Sequence, residues 1–166
     1  MAEQNVFKRI EKKYQLSREQ CEVFLEKAGN RICMDEYGLH TIHNIYYDTD
    51  NYRLIRNSLE KPKYKEKFRI RGYGEVNENS RIFLEIKKKY NGIVNKRRTT
   101  LKLKEAYEFV SSGKKPNLKE YMNAQVLEEI NYFLKVYDLT PKLYLAYDRI
   151  AYFEKGNPDL RISFDT

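Results

Sequence analysis

Reactive side chains are scarce in this 166-residue chain, which has two cysteines and two histidines. Cys21 and Cys33 make no CxxC pair, and Cys21 falls on the apolar stripe of a predicted helix, where a free thiol packs as a small hydrophobe. His40 and His43 stand outside any HExxH arrangement and read as loop or strand-entry residues. No Walker sequence occurs. Gly72-x-Gly74 lacks a third glycine and a following helix, so it reads as a turn and not as a dinucleotide loop. Asp48-Thr49-Asp50-Asn51 opens like a calcium loop, but Arg53 and Leu59 stand where glycine and glutamate are needed. No run of 18 apolar residues and no charged-then-apolar leader appears, so neither a membrane span nor a secretory signal is expected. The expectation is a cytoplasmic or cytoplasm-facing protein, associated with a membrane only through a partner.

Positive charge is what the chain does have. Hydrophobic residues make up 41% and charged residues 34%, which suits a folded domain, and the length suits a single one over 1–166. The net charge of +8 is local: residues 61–104 hold 15 Lys or Arg against 4 Glu, and the remainder is net acidic. Within that window Lys65, Lys67, Arg69 and Arg71 recur at every second position, as do Glu85, Lys87 and Lys89, then Lys96 and Arg98. Alternate residues of a β-strand share a face, so this spacing stacks like charge on one side of several strands. At about 5 Å and an effective dielectric of about 20, each like-charge contact costs on the order of 3 kcal/mol. Such repulsion is relieved by a dense polyanion.

The rest of the pattern predicts an α+β fold. Residues 7–14 alternate, with Arg9, Glu11 and Lys13 on one side. A helix follows from a Ser17/Gln20 capping box to Gly29, with Cys21, Phe24, Leu25 and Ala28 as its core-facing stripe. Strands are expected at 41–48, 64–73, 81–90, 93–103, 142–153 and 159–165, with Asn91-Gly92 as a hairpin turn. Short helices are expected near 50–59 and 105–111, and a longer one capped by Asn117 with Glu120, turning Leu127, Ile130, Leu134 and Tyr137 inward. Each central strand has one apolar and one ionic face.

An antiparallel sheet with one solvated, charged side is the plain reading of any single such strand. A solvated face normally mixes Lys with Glu, whereas Lys67, Arg69, Arg71, Lys87, Lys89, Lys96 and Arg98 meet few carboxylates; Glu11 and Glu85 are the exceptions. That mixture suits phosphoryl chemistry. Arginine offers a fork for phosphate oxygens, lysine a point charge, and a carboxylate or two can hold a divalent cation. Phosphoryl transfer needs mainly positioning and charge stabilisation, so no Ser, Cys or His nucleophile is required.

The segments RIEKKY (9–14), NIYYDTDN (44–51), KEKFRIRGYG (65–74), FLEIKKKY (83–90), VNKRR (94–98), YDRIAY (147–152) and RISFD (161–165) together resemble the polyphosphate polymerase domain of the vacuolar transporter chaperone (VTC) type, a branch of the triphosphate tunnel metalloenzymes. The resemblance implies an antiparallel β-barrel with flanking helices, whose interior binds ATP and inorganic polyphosphate with Mn2+ or Mg2+ and moves the terminal phosphate of ATP onto a growing chain. It implies phosphate-contacting roles for Lys13, Arg69, Arg71, Lys87, Lys96, Arg149 and Arg161, and a pocket position for Tyr147. Arg9, Lys67, Lys89 and Arg98 are further substrate-binding candidates, with Glu11 and Glu85 as metal candidates. Family members continue past the RISFD strand with a Glu-x-Lys strand, so the expectation is a C-terminally shortened barrel that a partner or self-association completes. Hydrolysis of triphosphate and polyphosphate binding without turnover stay open beside the polymerase reading. Nucleic acid is not expected, because base stacking needs aromatics on the basic face and Phe68 lies opposite it.

Overall fold

The structure, a computed structural model, describes residues 11–166. Arg9, and the part of the alternating 7–14 segment before residue 11, lie outside the described residues. In chain order the elements are α1 (Arg18–Ala28), a 3-10 turn (Gly29–Arg31), β1 (Ile32–Met34), β2 (His40–Asp48), α2 (Arg53–Leu59), β3 (Tyr64–Tyr73), β4 (Arg81–Tyr90), β5 (Ile93–Lys102), α3 (Leu103–Ser112), α4 (Ala124–Val136), β6 (Thr140–Glu154) and β7 (Asn157–Asp165). This is the α+β class with antiparallel strands and flanking helices that the sequence predicts. The chain divides into two compact units, 41–147 and a second formed by 1–40 with 148–166.

In the 41–147 unit the strand order is β6-β2-β3-β4-β5, with β2 to β5 pairing antiparallel in sequence order. Asn91 and Gly92 both take positive φ, 45° and 85°, as the tight turn of a β4–β5 hairpin requires. That turn pins the register, placing Lys87 opposite Lys96 and Ile86 opposite Arg97. Phe68, Ile70, Ile82, Leu84, Ile86 and Leu101 then fall on one face and form the core with α3 and α4. Phe68 is fully buried between the rings of Tyr47 and Phe133, with centroids at 5.6 and 5.8 Å. Burying a side chain of this kind contributes about 1.5–3 kcal/mol.

Three charged residues, Glu66, half-buried Lys88 and Arg97, fall on the apolar face, and among the described residues the buried Nε of Arg97 has no hydrogen-bond partner. Glu66 accepts hydrogen bonds from the hydroxyls of Tyr137, at 2.8 Å, and Tyr64. Arg97 pairs with Glu129 of α4 at 3.0 Å. Asp48 caps α2 by accepting from the backbone N–H groups of Leu54 and Ile55 at 2.8 and 2.9 Å. It is a structural cap, consistent with the failed calcium-loop pattern.

One helix start departs from the sequence reading. The long helix begins at Ala124, not after Asn117, and its cap is Asn123, whose side chain accepts from the N–H of Val126 at 3.0 Å. Tertiary contacts hold the preceding segment out of the helix. The carboxylate of Glu105 takes Lys119 and the Tyr121 hydroxyl, Met122 is buried in the core, and the N–H of Asn123 bonds Thr99 Oγ1 at 2.9 Å. Leu127 and Ile130 are buried as expected, while Leu134 and Tyr137 pack against the core from its margin.

In the second unit α1 has the expected capping box at Ser17 and Gln20 and stops at Gly29, whose φ is 46°. Its stripe is not seated on a core: Cys21, Leu25 and Ala28 are half-buried, none of its residues is buried, and Phe24 meets Phe164 edge-on at 5.8 Å. Residues 11–14, the described end of the alternating 7–14 segment, form no regular element. Alternation alone did not give these four residues a pairing partner among the described residues. The later part of β6 pairs with β1 through Ile32↔Glu154 and with β7 through Arg149↔Asp165.

Candidate functional site

The opposite face of β3, β4 and β5 is ionic, and the register fixes its rows. Lys67, Lys87 and Lys96 lie side by side across three strands. The next row runs Tyr46, Arg69, Glu85, Arg98, and the one beyond it Asn44, Arg71, Phe83, Thr100. Lys65 and Lys89 pair at the far end. Among the described residues of these three strands, Glu85 is the one acid on this face. The register thus sets like charges side by side along the lysine row, and Glu85 stands in the middle of the next row.

That point is deeply buried. The Glu85 side chain is 2% exposed. Its Oε2 accepts from Arg69 Nε at 2.7 Å, with Arg69 Nη2 at 2.6 Å, and Arg71 Nε lies 4.0 Å away. Lys96 Nζ stands 2.8 Å from Oε1 but off the hydrogen-bonding direction, so Oε1 has ion-pair contact and no hydrogen bond. Burial is the largest single influence on the Glu85 carboxyl and pushes its pKa up; Arg69, Lys96 and Arg71 together outweigh it and hold the pKa below the usual range. Burial likewise opposes the charge on Arg69, and Glu85 with Tyr46 more than offsets it. For Lys96 burial wins, helped by the nearby arginines, and its pKa is lowered despite Glu85.

Neighbouring side chains fix the guanidinium groups. Arg69 Nη1 donates to the Tyr46 hydroxyl at 2.8 Å, and Arg71 Nε donates to Asn44 Oδ1 at 2.9 Å. Asn44, 1% exposed, uses its Nδ2 to bond the Leu145 carbonyl at 3.2 Å, tying β2 to β6. Arg71 Nη2 reaches the Tyr147 hydroxyl at 3.4 Å, and Arg98 lies over the Phe83 ring at 4.7 Å. The result is a preorganised fork of donors flanked by a lysine row, an arrangement that grips successive phosphate oxygens.

The structure therefore brings together Lys67, Arg69, Arg71, Lys87, Lys89, Lys96, Arg98, Tyr147 and Glu85 within the 41–147 unit. The other described basic candidates, Arg149, Arg161 and Lys13, belong to the second unit, each beside a carboxylate. Arg149 makes a bidentate pair with Asp165 at 2.6 and 2.7 Å, Arg161 meets Asp35 at 2.8 Å, and exposed Lys13 lies 3.8 Å from Glu11. Asn44, Tyr46 and Phe83 were not candidates in the sequence. Asn44 and Tyr46 became legible only once β2 was registered against β3, since their alternation matches that of Arg71 and Arg69.

The described residues of this face do not fit a resident Mn2+ or Mg2+. Among the described residues no group of three His, Cys, Asp or Glu gathers to hold an ion. Glu85 is occupied as counter-ion to Arg69 and Lys96, and cations surround it where a metal would have to sit.

A sequence model described as the VTC domain matches residues 8–166. The chain belongs to the VTC domain family. This VTC domain is 31% identical, over 146 residues, to vacuolar transporter chaperone complex subunit 4 of Schizosaccharomyces pombe, covering 75% of this chain and 20% of that protein. It is 28% identical over 150 residues to the subunit of the same name from Trypanosoma cruzi, covering 75% of this chain and 19% of that protein. The chain thus spans about a fifth of the length of these curated relatives. A solved structure described as a putative adenylate cyclase from Bacillus halodurans has the same fold, with a TM-score of 0.51 at 17% identity over 91% of this chain and 76% of that one. Among the described residues no helix is long and apolar enough to cross a membrane.

Proposed function

We propose that this VTC domain is a polyphosphate polymerase that transfers the terminal phosphate of ATP to a growing inorganic polyphosphate chain. An oxygen at the end of the chain attacks the γ-phosphorus, the bond to the β–γ bridging oxygen breaks, and ADP leaves with that electron pair. One observation carries this reading: the cross-strand row Lys67–Lys87–Lys96 beside the held guanidinium groups of Arg69 and Arg71. Such a face offers charge stabilisation to several phosphates in line and supplies no nucleophile, which is what phosphoryl transfer asks for. Arg149, Arg161 and Lys13 are proposed to contribute further phosphate contacts. A divalent cation, Mn2+ or Mg2+, is proposed to arrive chelated by the phosphates of ATP, since the described carboxylates make no cage for it. By analogy with the names of its relatives, the domain is proposed to act as part of a complex, and the cytoplasm-facing location expected from the sequence is proposed with it.

The test is incubation with ATP and Mn2+, followed by resolution of polyphosphate on gels and measurement of ADP. Chain growth with matching ADP supports the proposal. Release of orthophosphate without chain growth would replace it with hydrolysis, and tight tripolyphosphate binding with no turnover would reduce it to a binding module.

A further inference from the structure

We propose that Glu85 is a built-in stand-in for phosphate, a positioning residue that fixes Arg69 permanently and gives Lys96 a partner that bound phosphate takes over. This rests on the reading of the ionic face as a phosphate site. The two cations meet the carboxylate in different ways. Arg69 is locked: Nε and Nη2 both lie on Oε2, Nη1 is on Tyr46, and the side chain is 19% exposed. Lys96 is not locked, because its ammonium touches Oε1 off the hydrogen-bonding line and its side chain is 41% exposed. An ammonium is a compact charge with three rotatable donors, so it can swing to a phosphate oxygen without breaking a directional bond. A guanidinium held at two edges cannot.

A single carboxylate cannot neutralise Arg69, Arg71 and Lys96 together, so phosphate binds in addition to Glu85 and feels its repulsion. Glu85 therefore keeps the arginines aimed while lowering affinity, which favours release of an elongated chain. A metal ligand and a structural pair behave differently: removing the first weakens binding when Mn2+ is present, and removing the second lowers stability without tightening the grip.

The experiment compares wild type, Glu85→Gln and Glu85→Asp by calorimetric titration with inorganic tripolyphosphate, with and without Mn2+, in 150 mM NaCl. In Glu85→Gln the Kd is expected to fall about tenfold under both conditions, equivalent to about 1.4 kcal/mol. Glu85→Asp, which keeps the charge, should stay near wild type. If ATP turnover is followed as well, Glu85→Gln lowers KM and kcat together. Equal or weaker binding by Glu85→Gln overturns the counter-ion role while leaving the site intact. Absence of tripolyphosphate binding by wild type overturns the phosphate site itself, and this role with it. Should Glu85→Gln fail to fold, the pair variant Glu85→Gln/Lys96→Gln, which removes both charges, is expected to fold and to bind within about threefold of wild type. Binding more than tenfold weaker would refute the proposal.

Discussion

Replacing Arg69 with methionine tests the energetics of the Glu85 cluster directly. Methionine fills the volume of the stem but leaves Glu85, 2% exposed, without its two closest donor nitrogens, and Tyr46 without a partner at 2.8 Å. Removing one member of a buried ion pair costs about 3–5 kcal/mol. Lys96 at 2.8 Å and Arg71 at 4.0 Å remain, so the lower figure of about 3 kcal/mol is expected here. For a chain of this size 1 kcal/mol moves Tm by about 2–4 °C, giving a drop of about 6–12 °C. The pH dependence has a definite sign. In wild type the lowered pKa of Glu85 contributes stability above its unfolded value of about 4.3, and this is lost as pH falls through the folded value. In Arg69→Met burial has less to oppose it, the folded pKa rises, and acid no longer removes stability through this group. Urea midpoints at pH 7 and pH 4 should therefore show a gap that is largest at pH 7 and shrinks in acid. A gap under 1 kcal/mol at pH 7, or one that widens on acidification, would refute this account.

Other outcomes follow from single contacts. Lys67→Glu places opposite charge beside Lys87 and should raise stability by about 0.2–1 kcal/mol while cutting tripolyphosphate affinity about tenfold, a trade read by paired melting and calorimetry. Asn44→Ala leaves Arg71 Nε and the Leu145 carbonyl without their partner, and chemical denaturation should show a loss of about 1–3 kcal/mol. In Gly72→Ala the new Cβ would stand 2.7 Å from Val76 Cγ2, so a loss of about 1–3 kcal/mol is expected, recovered when Val76 is also changed to alanine.

The strands at 64–73 and 81–90 were legible in the sequence to the residue, because alternation, a polar turn and Asn91-Gly92 all point the same way. The start of α4 was not. Asn117 and Asn123 are both good caps locally, and the choice between them is made by Thr99 and Glu105, which are distant in sequence. Glu85 was visible as an exception to the basic pattern, but its partners depend on which residues sit across from it on β3 and β5. Its role as counter-ion is a matter of register. The α1 stripe has the right spacing for a buried helix, yet spacing cannot say whether a surface exists to receive it.

The two-residue turn at Asn91 and Gly92 reaches further than its size suggests. Insert one residue there and β5 slides by one place against β4, exchanging inside for outside along the whole strand. Lys96 would be driven among the aliphatic side chains, while Leu101 would surface beside the arginines. A loop of two residues, carrying none of the cationic side chains itself, is therefore where a one-residue insertion would dismantle the binding face most completely.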